Sequence, residues 1–203
     1  MTTSLREALG ATDPQFDITL PAGWVRMDAS DASRDALLAQ ARARFLTAQR
    51  PDLWAQVRAS IDRAFEELRR VRGEAIMLQL ESGDDAPFVP ASITATILSA
   101  EQGLDDHMAQ LIAGGATALD GDRRFVRSES TDEVSQDGVR LGVTTVHYFT
   151  PVPGTRRRRA LALSAVMPHP PGIDPDDRLL AATRLLLDAH VSTVRWRRSE
   201  AGA

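Results

Sequence analysis

Residues 140–169 read RLGVTTVHYFTPVPGTRRRRALALSAVMPH. Two alternating runs flank a PVPGT turn. In the first, over 140–150, Leu141, Val143, His147 and Phe149 share one face of an extended strand. In the second, Leu161, Leu163 and Met167 face one way while Ala160, Ala162 and Ser164 face the other. Period two marks strands that bury a face. Proline and glycine between them turn the chain, so the second strand returns antiparallel beside the first. A face of small residues lets a helix approach the sheet closely.

Working outward, further strands and helices come into view. EAIMLQLES (74–82) puts Ile76, Leu78 and Leu80 on one face, and Gly83-Asp84-Asp85 reads as a turn. PASITATIL (90–98) points Ile93, Ala95 and Ile97 inward. Residues 102–113 read as a helix closed by Gly114-Gly115. A short strand is expected near Arg124–Ser128, followed by a polar turn over 132–138. Upstream, residues 31–49 form a helix with Leu37, Leu38, Ala41 and Phe45 on one side, stopped by Pro51. A second helix, 52–72, carries Trp54, Val57, Ile61, Phe65, Leu68 and Val71 at helical spacing, with Arg58–Asp62 and Glu66–Arg70 as supporting pairs. Gly73 is its expected stop. The last helix begins with Asp174 as N-cap and Pro175 at the first position, and runs to about Trp196.

Composition bounds the class. The chain has 203 residues, 43% hydrophobic and 26% charged, with a net charge of −4. That fits one soluble domain. No stretch approaches the roughly 20 apolar residues of a membrane span. MTTSLREALGATD lacks the basic and apolar regions of a signal peptide, so the expected location is cytoplasmic. The acidic balance argues against general binding to nucleic acid or to anionic membrane. There is no cysteine, and all 24 basic residues are arginine. Asparagine is missing too, which fits a GC-rich bacterial genome. Thiol nucleophiles, thiolate metal sites, Walker A loops, Schiff bases and Ser-x-x-Lys chemistry are thereby excluded.

The order of strand, two helices, strands, helix, strands and helix predicts an α+β domain, mostly an antiparallel sheet sandwiched by helices. One domain spans 1–203, with 1–14 an N-terminal arm and 197–203 a flexible tail.

Near the N-terminus the stretch 16–24 reads FDITLPAGW. Phe16, Ile18 and Leu20 alternate, Pro21 and Gly23 bend the chain, and Trp24 follows. This resembles the Phe-x-Ile-x-Leu-Pro-x-Gly-Trp motif of the PsbP-like superfamily. That superfamily includes the photosystem-II protein PsbP, a Ran-binding nuclear-import factor, LpqN-type lipoproteins and the Eag chaperones of type VI secretion effectors. The motif covers nine residues, whereas element order agrees along most of the chain. The resemblance implies an antiparallel sheet between helices that ends in a long helix. It also implies non-enzymatic protein binding. The helical pair over 31–72 is an expansion relative to many relatives.

Candidate sites are few. Arg156, Arg157, Arg158 and Arg159 are the conspicuous charge run. They would suit phosphate, nucleic acid or an acidic protein. As plain surface they are a solvated loop at a strand start, where alternation lets only half of them share a face. Asp105-Asp106-His107 cannot converge on a metal by themselves, because neighbours on a helix point about 100° apart. His107, His147, His169 and His190 form no zinc-protease spacing, and no Gly-x-Ser-x-Gly elbow supplies a nucleophile. His147 would need an acid such as Asp188 to act in hydrolysis. No motif implies a catalytic residue, metal or cofactor.

The expected function is therefore a non-enzymatic protein-binding module, an adaptor or chaperone linked to secretion. Its partner is another protein, with a homodimer left open. The alternatives are a carrier of apolar ligands between sheet and helices, and a hydrolase that uses His147.

Overall fold

The hairpin over 140–169 forms the middle of a seven-stranded sheet. In this computed structural model, residues 14–47, 51–83, 87–100, 103–136 and 139–197 are described. Of the expected arm (1–14) all but residue 14, of the expected tail (197–203) all but residue 197, and the turn tips at 84–86 and 137–138 lie outside them. The elements in chain order are β1 (Phe16–Asp17), β2 (Trp24–Met27), α1 (Asp31–Thr47), α2 (Pro51–Arg70), β3 (Gly73–Gln79), β4 (Ser92–Ser99), α3 (Asp105–Ala113), β5 (Thr117–Leu119), β6 (Asp122–Gln136), β7 (Val139–Pro151), β8 (Arg159–His169), α4 (Arg178–Ser192) and β9 (Arg195–Trp196). The sheet order is β2-β3-β4-β8-β7-β6-β5, and every neighbouring pair is antiparallel. The chain is an α+β protein with a large antiparallel sheet and, among the described residues, four helices.

Alternation decides which residues are inside. Val146, Tyr148, Leu161, Leu163, Ala165 and Met167 are essentially inaccessible and point to one face. Ala75, Met77, Ile93 and Ala95 extend that face across β3 and β4. α4 closes it with Leu180, Leu187 and Val191. Each fully buried leucine contributes about 2 kcal/mol by leaving water. The buried face of β7 is thus its Val146–Tyr148 side, opposite the Val143–His147–Phe149 side.

The opposite face is covered differently. At the β2–β3 end, the α1–α2 pair lays Leu37 and Phe65 on Met27, and Val25, Ile61, Ile76 and Leu80 pack around them. The apolar stripe of α2 therefore packs on the sheet through its C-terminal half, with Phe65 and Leu68 buried. Arg58 pairs with Asp62 at 3.7 Å as expected, but Arg70 pairs with Glu67 rather than Glu66. Farther across, one row of this face reads Ile76, Thr94, Ser164, His147 and Ser128 on neighbouring strands.

The bend at Pro21–Gly23 is a turn in which the Trp24 N–H donates to the Pro21 carbonyl at 3.1 Å. Gly23 has φ 77°, and a Cβ there would lie 2.1 Å from the Glu81 carbonyl oxygen. Only glycine fits. The bend does more than join two strands of one edge. β1 leaves the large sheet and pairs with β9, Phe16 opposite Trp196, while β2 continues beside β3. Trp24 is buried in the core, and its indole N–H has no partner among the described residues.

Several boundaries differ from expectation. Pro51 opens α2, a position where its missing N–H costs nothing. α4 starts at Arg178 with Asp177 as N-cap, its carboxylate accepting from the Leu179 and Leu180 N–H groups. Asp174 instead accepts from the Asp176 N–H in the preceding turn. The helix ends at Ser192, so Trp196 belongs to a strand. β6 runs through Gln136, and residues 132–136 are strand rather than turn. No described helix is long and apolar enough to cross a membrane.

Candidate functional site

The turn between β7 and β8, the start of β6, and β9 meet at one end of the molecule. They enclose an open cleft of about 520 Å³. Its floor is apolar, built from Phe125, Val152, Val194 and Trp196. Its rim carries Arg124, Arg156, Arg157 and Arg195, and among the described residues no carboxylate lines it. On a chain of net charge −4, a concentrated group of guanidiniums is the notable local departure.

The four arginines differ in their partners. Arg124 straddles Asp122, with Nη2 2.6 Å from Oδ2, and also reaches the Ser192 and Val194 carbonyls. Its bonds hold the Asp122 carboxyl below the usual carboxylate range. Arg195 donates to the same two carbonyls at 2.9 and 2.8 Å. Both cations thus sit at the negative end of α4, where its last carbonyls lack helical partners. Arg157 has a loose pair with Asp105 at 3.5 Å, both side chains well exposed. Arg156 is exposed and makes no ion pair or hydrogen bond with the described residues.

The structure divides the arginine run. Arg156 and Arg157 reach the cleft. Arg158 is exposed and outside its lining, and Arg159 donates to the Ser99 hydroxyl at 3.2 Å from the first position of β8. The expected strand alternation does not govern the division, because Arg156–Arg158 lie in a turn. Arg124, Arg195 and Trp196 join the cleft from distant sequence, and no local pattern marks them.

The histidines do not form a second centre. His147 Nδ1 lies 2.9 Å from the Ser164 hydroxyl, and its ring stacks on Phe149. Burial depresses its pKa. Asp188, the acid it would need, lies across the sheet. There it accepts a 2.5 Å bond from the Tyr148 hydroxyl and pairs with Arg127 at 3.0 Å. Successive strand residues face opposite sides, so His147 and the partner of Tyr148 cannot meet. His169 bridges the Pro170 carbonyl and Thr144, and His190 bonds the Thr19 carbonyl. His107 meets Phe149 edge-on. No group of three or more metal-ligating side chains converges among the described residues.

No family model matches the chain, and no curated protein matches it. A solved crystal structure from Bacteroides thetaiotaomicron VPI-5482 aligns with TM-score 0.42 at 11% identity, over 93% of this chain and 47% of the other. This chain spans about half the length of that one.

Proposed function

We propose that this chain is a non-enzymatic protein-binding module of the adaptor or chaperone kind, and that the arginine-rimmed cleft is its contact surface. The carrying observation is the lining of the cleft. It combines an apolar floor with exposed guanidiniums and, among the described residues, holds no carboxylate or histidine. Aromatic and arginine side chains around a desolvated floor are what protein contacts use for most of their energy. The resemblance of residues 16–24 to the PsbP-like motif supports the same reading, and with it a chaperone role beside a secretion apparatus.

The carrier reading draws less support. The space between the sheet and α4 is occupied by Tyr148, Leu187 and Val191, each fully buried, and the cleft opens to solvent. The hydrolase reading loses its acid, since Asp188 is on the far face.

The test is a pull-down with the intact chain from its own cells. A specific partner should be recovered by the wild type. The Arg156→Glu, Arg157→Glu double variant should lose it while keeping its fold by circular dichroism. Equal recovery by both proteins would contradict the assignment of the cleft.

A further inference from the structure

Arg156, without an ion pair among the described residues, and Arg157, loosely paired with Asp105, sit on an unusual turn. The Arg158 N–H donates to the Thr155 carbonyl at 3.1 Å, closing a four-residue turn around Arg156 and Arg157. Both central residues have left-handed φ, 51° and 59°. Positive φ at both centres is the pattern of a type I′ turn, which favours Asn-Gly or Asp-Gly. Arginine gains nothing locally there, because its Cβ crowds the backbone.

The surroundings hold the turn in place. The Thr155 hydroxyl, buried, donates to the Val152 carbonyl at 2.7 Å. The Val152 N–H bonds the Arg159 carbonyl at 2.9 Å. From outside the hairpin, the Ala100 and Leu104 N–H groups bond the carbonyls of Arg158 and Arg157 at 2.9 and 3.1 Å. Strained backbone that the fold over-determines is a feature of recognition and catalytic sites. A turn already fixed loses little freedom on binding.

We propose that this turn recognises an acidic, extended segment of a partner protein. Carboxylates pair with Arg156 and Arg157, and an adjacent apolar side chain rests on the floor at Trp196. The inference rests on the protein-binding reading and names the partner's chemistry. A guanidinium presents paired N–H donors that match a carboxylate in two parallel bonds. Arg156 has no such partner among the described residues, and the one at Arg157 is loose. The apolar floor favours a peptide over a polynucleotide, whose binding rests on many phosphate contacts.

The experiment uses fluorescence anisotropy with the full chain. The probe is a labelled peptide of alternating glutamate with leucine and phenylalanine. Comparison probes carry glutamine for every glutamate, or are oligothymidine. The acidic peptide should bind about tenfold or more tightly than either comparison, and added salt should weaken it. The Arg156→Asn, Arg157→Gly double variant suits the turn better while lacking both charges. It should lose about tenfold in affinity while its Tm rises by about 3 °C. An Arg156→Gln, Arg157→Gln variant keeps the original backbone cost and should lose the same affinity without the gain in Tm. Wild-type affinity in both variants would overturn the proposal. So would equal binding of the glutamine peptide, stronger binding of oligothymidine, or a signal that tracks self-association into a dimer. If a partner recovered from cells still depends on Arg156 and Arg157 but the acidic peptide does not bind, the acidic-segment inference fails and the protein-binding reading stands.

Discussion

The Tyr148 hydroxyl donates to Asp188 Oδ1 at 2.5 Å, and this bond ties the centre of the sheet to α4. Tyr148 is fully buried, and Asp188 also accepts from Arg127 Nε at 3.0 Å. Arg127 reaches on to Glu129 at 2.8 Å, and Glu129 lies 2.8 Å from Arg184 Nε. That last N–H is not aimed at the carboxylate, so the contact is an ion pair without an aligned hydrogen bond. The chain of charges registers α4 on β6 and β7, and so sets where the helix's C-terminal carbonyls meet Arg124 and Arg195. Tyr148→Phe should cost about 2 kcal/mol, the range for a hydrogen bond to a charged acceptor. Asp188→Ala should cost more, about 3 kcal/mol, because it leaves the buried Tyr148 hydroxyl without its acceptor and Arg127 with Glu129 alone. Urea unfolding of both variants checks the order.

Burial first, and the Asp188 carboxylate second, push the Tyr148 ionisation far above its ordinary value. The chain contains one tyrosine. Absorbance at the phenolate band therefore reports Tyr148 alone. No phenolate should appear on raising the pH until the protein unfolds, and the spectral and circular dichroism transitions should coincide. A phenolate that forms near pH 10 in folded protein would contradict the buried bond.

Stability should fall on acidification in two stages. Burial lowers the His147 pKa below its ordinary 6.5. Between the folded and unfolded values the unfolded chain binds more protons, so stability rises with pH through that window and is level above it. His147→Gln should remove this slope below pH 6.5. The second stage comes from carboxylates. The Arg197 pair depresses Asp17, the Ser30 and Ser33 hydroxyls depress Asp28, and Arg124 depresses Asp122. Their contribution is present above the unfolded value of 3.8 and is lost as pH falls through the lower folded values. Asp17 and Asp28 are exposed and Asp122 is partly exposed, so each effect is small. Thermal melts across pH 3–8 with the wild type and the His147 variant separate the stages.

Gly23→Ala should destabilise the fold by about 2 kcal/mol or more, since φ 77° and a 2.1 Å approach to the Glu81 carbonyl oppose a Cβ together. Gly115→Ala is the control, with left-handed φ and open space around it, and should cost about 1 kcal/mol. Chemical denaturation distinguishes the two.

Much of the fold was legible because alternation is strong where a face is buried. β8 read directly with Leu161, Leu163 and Met167 inside, and so did β4 with Ile93 and Ala95; β7 read as a strand, but its core face is Val146 and Tyr148, opposite the Val143–His147–Phe149 side. The stripe of α2 identified Phe65 and Leu68. β6 did not read beyond Ser128, because SESTDEVSQ is polar on both faces and is a strand only through its register with β7. The pairing of Phe16 with Trp196 spans nearly the whole chain and has no local signature. At the candidate site, the arginine run stood out as charge but its geometry did not. A type I′ turn announces itself by asparagine and glycine, and here arginines occupy both positions. Arg124, Arg195 and Trp196 reach the cleft only through tertiary pairing.

The central claim is that the cleft contacts a partner protein, and photo-crosslinking in cells tests it most directly. A crosslinking amino acid at Pro153, exposed on the cleft, is compared with one at exposed Arg140 at the far end of β7. Pro153 should give one discrete adduct that disappears when Arg156 and Arg157 are both changed to glutamate, and Arg140 should give none. Equal adducts from both positions, or a Pro153 adduct indifferent to the two arginines, would contradict the account.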